Sequence, residues 1–143
     1  MWIRLITALV TVAAITGCSP PAKTPSEIYL EYQTRSAEGL TFDEDMSYWS
    51  SARVETVDEK IVALATRMEK SREEAAEFYL EFSKKTAACS EFELLDERVE
   101  EREAYLELLA RDICQPDLVD PSTHKVKLVL EKGWKIDDVE VVL

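Results

Sequence analysis

Between residues 25 and 85 the apolar side chains recur three and four positions apart, the spacing that gathers them on one face of a helix. Four groups stand out: Ile28 and Tyr32; Phe42, Met46 and Trp49; Ile61, Leu64, Ala65 and Met68; and Ala75, Phe78, Tyr79 and Phe82. Each follows or overlaps a hydroxyl residue set three positions ahead of a glutamate, in Thr24-Pro25-Ser26-Glu27, Thr41-Phe42-Asp43-Glu44, Thr56-Val57-Asp58-Glu59 and Ser71-Arg72-Glu73-Glu74. In such a capping box the hydroxyl accepts from a backbone N–H of the first turn and the glutamate accepts from the cap's own N–H, so four helix starts are expected. Pro25 suits a first turn, where its missing N–H would have had no partner. Gly39 stands where a left-handed C-cap would close the first helix. The aromatics and methionines of these groups are expected to form one core.

Beyond Lys85 the period changes. Lys125-Val126-Lys127-Leu128-Val129-Leu130, then Glu131-Lys132-Gly133, then Trp134-Lys135-Ile136 reads as a β-hairpin with glycine at its turn, placing Leu128 opposite Ile136 and Leu130 opposite Trp134. A lone hairpin is marginal and needs further strands or a helix against it. The stretch from Glu91 to Arg111 is rich in glutamate, leucine and arginine, and local propensity leaves helix open for part of it. Phe92-Glu93-Leu94-Leu95 and Ala104-Tyr105-Leu106-Glu107-Leu108 are nevertheless the available strands, turning near Glu101 and Arg102. The expected fold is α+β, with three to four N-terminal helices packed on a curved antiparallel sheet of about four strands.

The chain has 143 residues, 17 Lys+Arg against 29 Asp+Glu, and a net charge of -12. Its length allows about one domain. The charge argues against nucleic acid, whose binding draws affinity from lysines and arginines that displace counterions. With 46% hydrophobic residues there is enough apolar material to offset chain entropy, so acidity does not imply disorder. Only three glycines occur, and none forms the cluster that Rossmann or Walker loops need to bring backbone amides against phosphates. No cofactor is indicated.

At the N-terminus, Arg4 and the terminal amine precede an uncharged stretch from Leu5 to Ile15. Spanning a bilayer takes about 20 apolar residues, so this segment reads as the core of a signal peptide covering residues 1–17. Ile15-Thr16-Gly17-Cys18 resembles the bacterial lipobox, in which a cysteine receives diacylglycerol before cleavage on its amino side. The resemblance implies that Cys18 becomes the lipid-bearing first residue of a palmitate-type acylated lipoprotein. Two or more acyl chains hold firmly where one binds marginally. Ser19, in place of the aspartate typical of inner-membrane retention, implies the outer membrane, facing the periplasm. Residues 18–24, with Pro20 and Pro21, form a short tether reaching under about 20 Å at roughly 3.1 Å per residue. The domain would occupy residues 25–143.

With Cys18 acylated, Cys89 and Cys114 remain as an even pair in an oxidising compartment and are expected to form a disulfide, two free buried thiols being the alternative. A hairpin centred near Glu101 and Arg102 puts Cys89 opposite Cys114. A metal site is not indicated, because the cysteines lie 25 positions apart with one histidine in the chain and no zinc-type spacing.

The helices followed by a meandering sheet, closed by Gly133-Trp134-Lys135-Ile136-Asp137-Asp138-Val139, resemble the small bacterial lipoproteins of the nuclear-transport-factor-like superfamily, the SnoaL-like, cystatin-like cone. The resemblance covers roughly Pro25 to Leu143 and implies helices filling the concave face of a curved antiparallel sheet. The acidic, helix-prone hairpin departs from that family's clearer strands. Because such a fold hosts enzymes, binding modules and scaffolds alike, it assigns no chemistry.

No catalytic residue emerges. His124 is the single histidine and sits beside Ser122, Thr123 and Lys125 after Pro121, a segment read as a loop outside the cone. No Gly-x-Ser-x-Gly elbow occurs. Asp43-Glu44-Asp45, Glu100-Glu101-Glu103 and Asp137-Asp138 read as solvated acidic pairs, without EF-hand spacing. The leading expectation is a noncatalytic domain that binds an envelope protein or a small apolar ligand, with Tyr29, Tyr32, Trp49, Phe78 and Phe82 as candidate cavity-lining side chains. The alternative is a cyclase- or isomerase-like enzyme in the same cone. A pocket holding a buried carboxylate near Tyr or His would favour the enzyme; a packed interior with exposed apolar surface would favour the binding module.

Overall fold

The computed structural model describes residues 22–143; the signal-peptide reading of residues 1–17 and the acylation of Cys18 lie outside the described residues. Three of the four capping boxes open helices. Thr24 caps α1 (Pro25–Glu38), Thr41 caps α2 (Phe42–Tyr48), and Ser71 caps the fourth helix, each with both reciprocal hydrogen bonds in place. The Thr56 box does not. α3 (Ser51–Met68) is capped six residues earlier, at Ser50, and Thr56, inside the helix, donates back to the Ala52 carbonyl at 3.3 Å. Ser50 succeeds as a cap because its N–H donates to the Ile136 carbonyl at 2.8 Å, holding it extended on the sheet edge. Glu69 closes α3 in the left-handed conformation with φ 54°, and α4 (Arg72–Ala88) follows. Gly39 has the positive φ of 107° that its position called for, with ψ of 123° outside the left-handed helical region.

The sheet is a meander of β1 (Ser90–Glu100), β2 (Glu103–Asp112), β3 (Ser122–Leu130) and β4 (Trp134–Val142), antiparallel throughout in the order β1-β2-β3-β4. The fold is therefore α+β, with the helices N-terminal to the sheet. Leu128 pairs with Ile136 and Leu130 with Trp134. Glu100 pairs with Glu103 across a turn at Glu101 and Arg102. The helix-prone segment becomes two strands because Ala104, Leu106, Leu108 and Ala110 alternate inward onto the core while Tyr105, Glu107 and Arg111 face the other way. Burial on a shared face overrides propensity there.

α1 lies against the sheet, α4 packs on α1, and α3 packs on α4. Two apolar clusters result, rather than the one core expected. Tyr29 and Tyr32 of α1 meet Leu106, Leu108, Val126, Leu128 and Ile136. Val57, Ile61 and Ala65 of α3 meet Ala75 and Ala76 of α4, with Phe42, Met46, Leu64 and Tyr79 alongside. Small residues on α4 let the helices approach closely.

A bulge refines the disulfide. The β1–β2 register runs from Glu100↔Glu103 to Asp96↔Glu107, then shifts at Leu95 so that Leu94 pairs with Leu108 and Ser90 with Asp112. Ile113, rather than Cys114, therefore comes opposite Cys89, donating to its carbonyl at 2.8 Å. Cys114 is the next residue and closes the bond, with Cα atoms 5.2 Å apart. The bond ties the α4–β1 junction to the segment between β2 and β3.

Candidate functional site

The five candidate aromatics part company. Tyr29 and Tyr32 are buried in the α1–sheet cluster. Trp49, just after α2, is half-buried edge-on to Tyr32 at 5.4 Å, with the Arg53 guanidinium 5.6 Å above its ring. Phe78 and Phe82 stand on the outer side of α4 at 53% and 66% exposure, so they do not line the filled interior. Their helical spacing put them with Ala75 and Tyr79, but both project beyond the strip of α4 that α1 and α3 cover.

Asp45 departs furthest from its expected place. Among the described residues it is the one carboxylate fully withdrawn from solvent, at 0% exposure, although the sequence sets it within an acidic triplet expected to be solvated. One carboxylate oxygen accepts from Tyr32 Oη at 3.0 Å and the other from Tyr79 Oη at 3.2 Å. Burial raises its pKa above the ordinary aspartate value, and the two phenols partly offset that rise. Burial likewise pushes both phenols well above their usual range, reinforced by the carboxylate beside them. Because Tyr32 belongs to one apolar cluster and Tyr79 packs against the other, Asp45 is the polar link between them. Asp45 lines none of the five main hollows among the described residues. Its place was legible in part, since Asp45 follows Phe42 by three positions and adjoins Met46, on the apolar side of α2.

His124 also departs from its expected place in a loop. It lies within β3, paired with Leu108 and Val141, and faces inward. Tyr29 Oη is 3.1 Å from its Nδ1, and Phe92 meets both rings edge-on, at 5.9 Å to Tyr29 and 5.2 Å to His124. Burial lowers the histidine's pKa and pushes the Tyr29 phenol far up, with Gln33 partly offsetting this. The missed signal was period two: counting back from Leu128 and Val126 puts His124 and Ser122 on the same inward face.

His124 lines a hollow of about 280 Å³ that opens between α1, α4, the strands and the segment after β2, bordered by Gln33, Thr86, Phe92, Ala110, Val119 and Val141. A shallower hollow of about 160 Å³, bordered by Tyr32, Phe82 and Ser83, adjoins it through the shared residues Gln33 and Thr86. Together they make a cleft with apolar walls, a few neutral polar groups and one imidazole. Its rim carries Arg111, Asp112 and Asp120. Arg111 is paired with Glu93 at 2.8 Å, and Asp112 accepts the backbone N–H groups of Cys114 and Gln115 at 2.8 and 2.6 Å.

The opposite sheet face carries an open groove of about 420 Å³ along Asp96, Arg98, Tyr105, Glu107, Lys125, Lys127, Asp138 and Glu140. Three of its charged groups, Arg98, Lys127 and Asp138, are paired with residues at its margin. Lys127 reaches Glu103 at 2.9 Å and Asp137 at 3.7 Å, and Arg98 reaches Glu100 at 3.1 Å while lying 5.0 Å above the Tyr105 ring. This is the make-up of a solvated sheet face.

Among the described residues no group of three or more His, Cys, Asp or Glu side chains is placed to hold a metal ion, and no helix is long and apolar enough to cross a membrane. Comparison of the chain with protein-family models, with curated proteins and with solved structures finds no match. The cleft around His124 is taken as the candidate site for its lining chemistry, since among the main hollows of the described residues it is the one bordered by the imidazole.

Proposed function

We propose that this chain is a bacterial envelope lipoprotein, anchored by lipid on Cys18 and facing the periplasm from the outer membrane, whose α+β domain is a noncatalytic binding module. The helices-then-meander order and the closing Gly133-Trp134-Lys135-Ile136 stretch support reading the domain as nuclear-transport-factor-like. One observation carries the binding reading: the fully buried carboxylate is closed off by two tyrosines, while the open cleft holds a single imidazole with no carboxylate hydrogen-bonded to it among the described residues. A cyclase or isomerase needs an acid or base poised to exchange a proton with bound substrate. The one such group in the cleft, His124, is engaged by neutral Tyr29 rather than by a carboxylate, and the remaining lining offers apolar walls and hydrogen-bonding groups, the make-up of a recognition site.

The anchor is supported by the charge-free stretch from Leu5 to Ile15 and the small residues before Cys18. An alkyne-palmitate label should enter the wild-type chain in cells, and Cys18→Ser should lose both label and membrane retention. Retained label would overturn the anchor. For the binding module, a photoreactive side chain placed at Thr86, on the cleft wall, should give a discrete crosslinked adduct in intact cells. The same group at exposed Glu59 on α3 should not. Indistinguishable capture at the two positions would overturn the assignment of the cleft.

A further inference from the structure

We propose that the His124 hollow binds a small uncharged molecule that joins a ring-sized apolar body to a carbonyl-type oxygen, and that this oxygen accepts a hydrogen bond from His124 Nε2–H. The proposal deepens the binding-module reading and rests on it. Tyr29 Oη is buried and lies 3.1 Å from Nδ1. With Tyr29 O–H donating to Nδ1, the buried hydroxyl is satisfied and the ring proton is assigned to Nε2. Gln33, the other polar side chain beside the phenol, lowers its pKa as a donor to the phenol oxygen does, so the reverse tautomer would set two donors on that oxygen and turn the buried O–H away from any acceptor, a costly state. The Tyr29 contact thus sets His124 as a hydrogen-bond donor on its free nitrogen, in a ring that itself borders the hollow.

The walls select the rest of the ligand. Phe92, Ala110, Val119 and Val141 offer apolar surface, and about 280 Å³ lies near the lower end of small-molecule sites. Charge selects as well. Arg111 is already paired with Glu93, so an anion would meet Asp112 and Asp120 and no unpaired cation among the residues lining the hollow. Val119 and Asp120 belong to the segment that Cys114 ties back to Cys89, so that wall is held in place before a ligand arrives.

The single histidine makes the test direct, since ¹⁵N-histidine labelling of the untagged, lipidated mature chain in phosphatidylcholine nanodiscs gives one imidazole. Without ligand, Nδ1 should report as unprotonated and Nε2 as protonated. Acetanilide, a neutral aromatic amide, should shift Nε2 saturably, with at least tenfold tighter half-saturation than benzoate, and toluene, lacking the acceptor, should leave Nε2 unmoved. Val141→Trp, at a half-exposed rim position, should abolish the acetanilide shift while leaving the Nδ1–Tyr29 signature intact. A protonated Nδ1, no saturable acetanilide shift, a matching response to benzoate or toluene, or a shift that survives Val141→Trp would each overturn the proposal. A null titration beside selective capture at Thr86 removes the ligand class and leaves the binding module. Uniform capture beside a saturable titration does the reverse.

Discussion

Replacing Tyr79 by Phe isolates one hydrogen bond of the Asp45 link while keeping the ring in its place. The carboxylate is fully buried and accepts from Tyr79 at 3.2 Å and Tyr32 at 3.0 Å. A hydrogen bond to a charged group contributes about 1.5–3 kcal/mol, and the oxygen left behind has no water to replace the phenol. For a domain of this size that loss corresponds to a fall in Tm of roughly 5–15 °C. The pH dependence follows from Asp45's raised pKa. Its ionised form is the costlier one in the fold, so the burden is present above the folded pKa and lifts as pH falls through that value towards the unfolded one. Removing the Tyr79 donor raises the folded pKa further, so the deficit of Tyr79→Phe should be largest near neutral pH and shrink on acidification. Urea unfolding followed by far-ultraviolet circular dichroism at pH 7.5 and 5.0, with unchanged m-values, measures this. A double-mutant cycle with Asp45→Asn should show coupling above about 1 kcal/mol. A loss below about 0.5 kcal/mol at neutral pH, or strict additivity, would refute the link between the two clusters.

Other consequences are simpler to state. Cys89→Ala with Cys114→Ala opens a loop of sequence separation 25, and the chain-entropy relation puts the cost at about 3.5 kcal/mol, read as a lowered urea midpoint; a midpoint unchanged from the oxidised parent would refute it. Ser50→Ala removes the cap that accepts from Arg53 N–H at 3.1 Å and the hydroxyl that donates to Asp137 at 2.6 Å; chemical denaturation should show a loss of about 1–2 kcal/mol, with Ser51→Ala, one position on, losing less. Glu69→Gly relieves a left-handed glutamate, φ 54°, and should raise stability by roughly 0.5–1 kcal/mol once glycine's extra unfolded-state entropy is counted. His124 has its pKa lowered by burial, so the stability it contributes is present above the unfolded histidine pKa and is lost as pH falls through that value towards the folded one; His124→Phe should flatten the stability profile in that window.

The sequence by itself determined the ladder of elements. Local rules suffice where the partner is three or four residues away, as in the boxes at Thr24, Thr41 and Ser71, or across a short turn, as in the Leu128↔Ile136 pair. Thr56 failed because the α3 start depends on Ser50 docking on Ile136, a contact 86 residues away along the chain. The end of α3 is hidden for a related reason, since Glu69 takes the conformation usually marked by glycine. The cysteine pair was legible by counting, but the bulge at Leu95 moved the register by one residue and seated the bond after the β2 end.

The candidate site was less legible than the fold, because inward and outward are global properties. Phe78 and Phe82 share their helical period with buried Ala75, yet both stay mostly exposed, Phe82 at the edge of the small hollow it shares with Tyr32. Asp45 and His124 carry polar side chains whose composition speaks for the surface, and only the packing of α1, α2, α4 and the sheet supplies the tyrosines that make their burial tolerable. A charge or an imidazole can leave water only when specific donors and acceptors replace it, and those partners come from segments distant in sequence. Periodicity therefore set which elements form; tertiary structure decided which polar groups they enclose, and so where a ligand can be met.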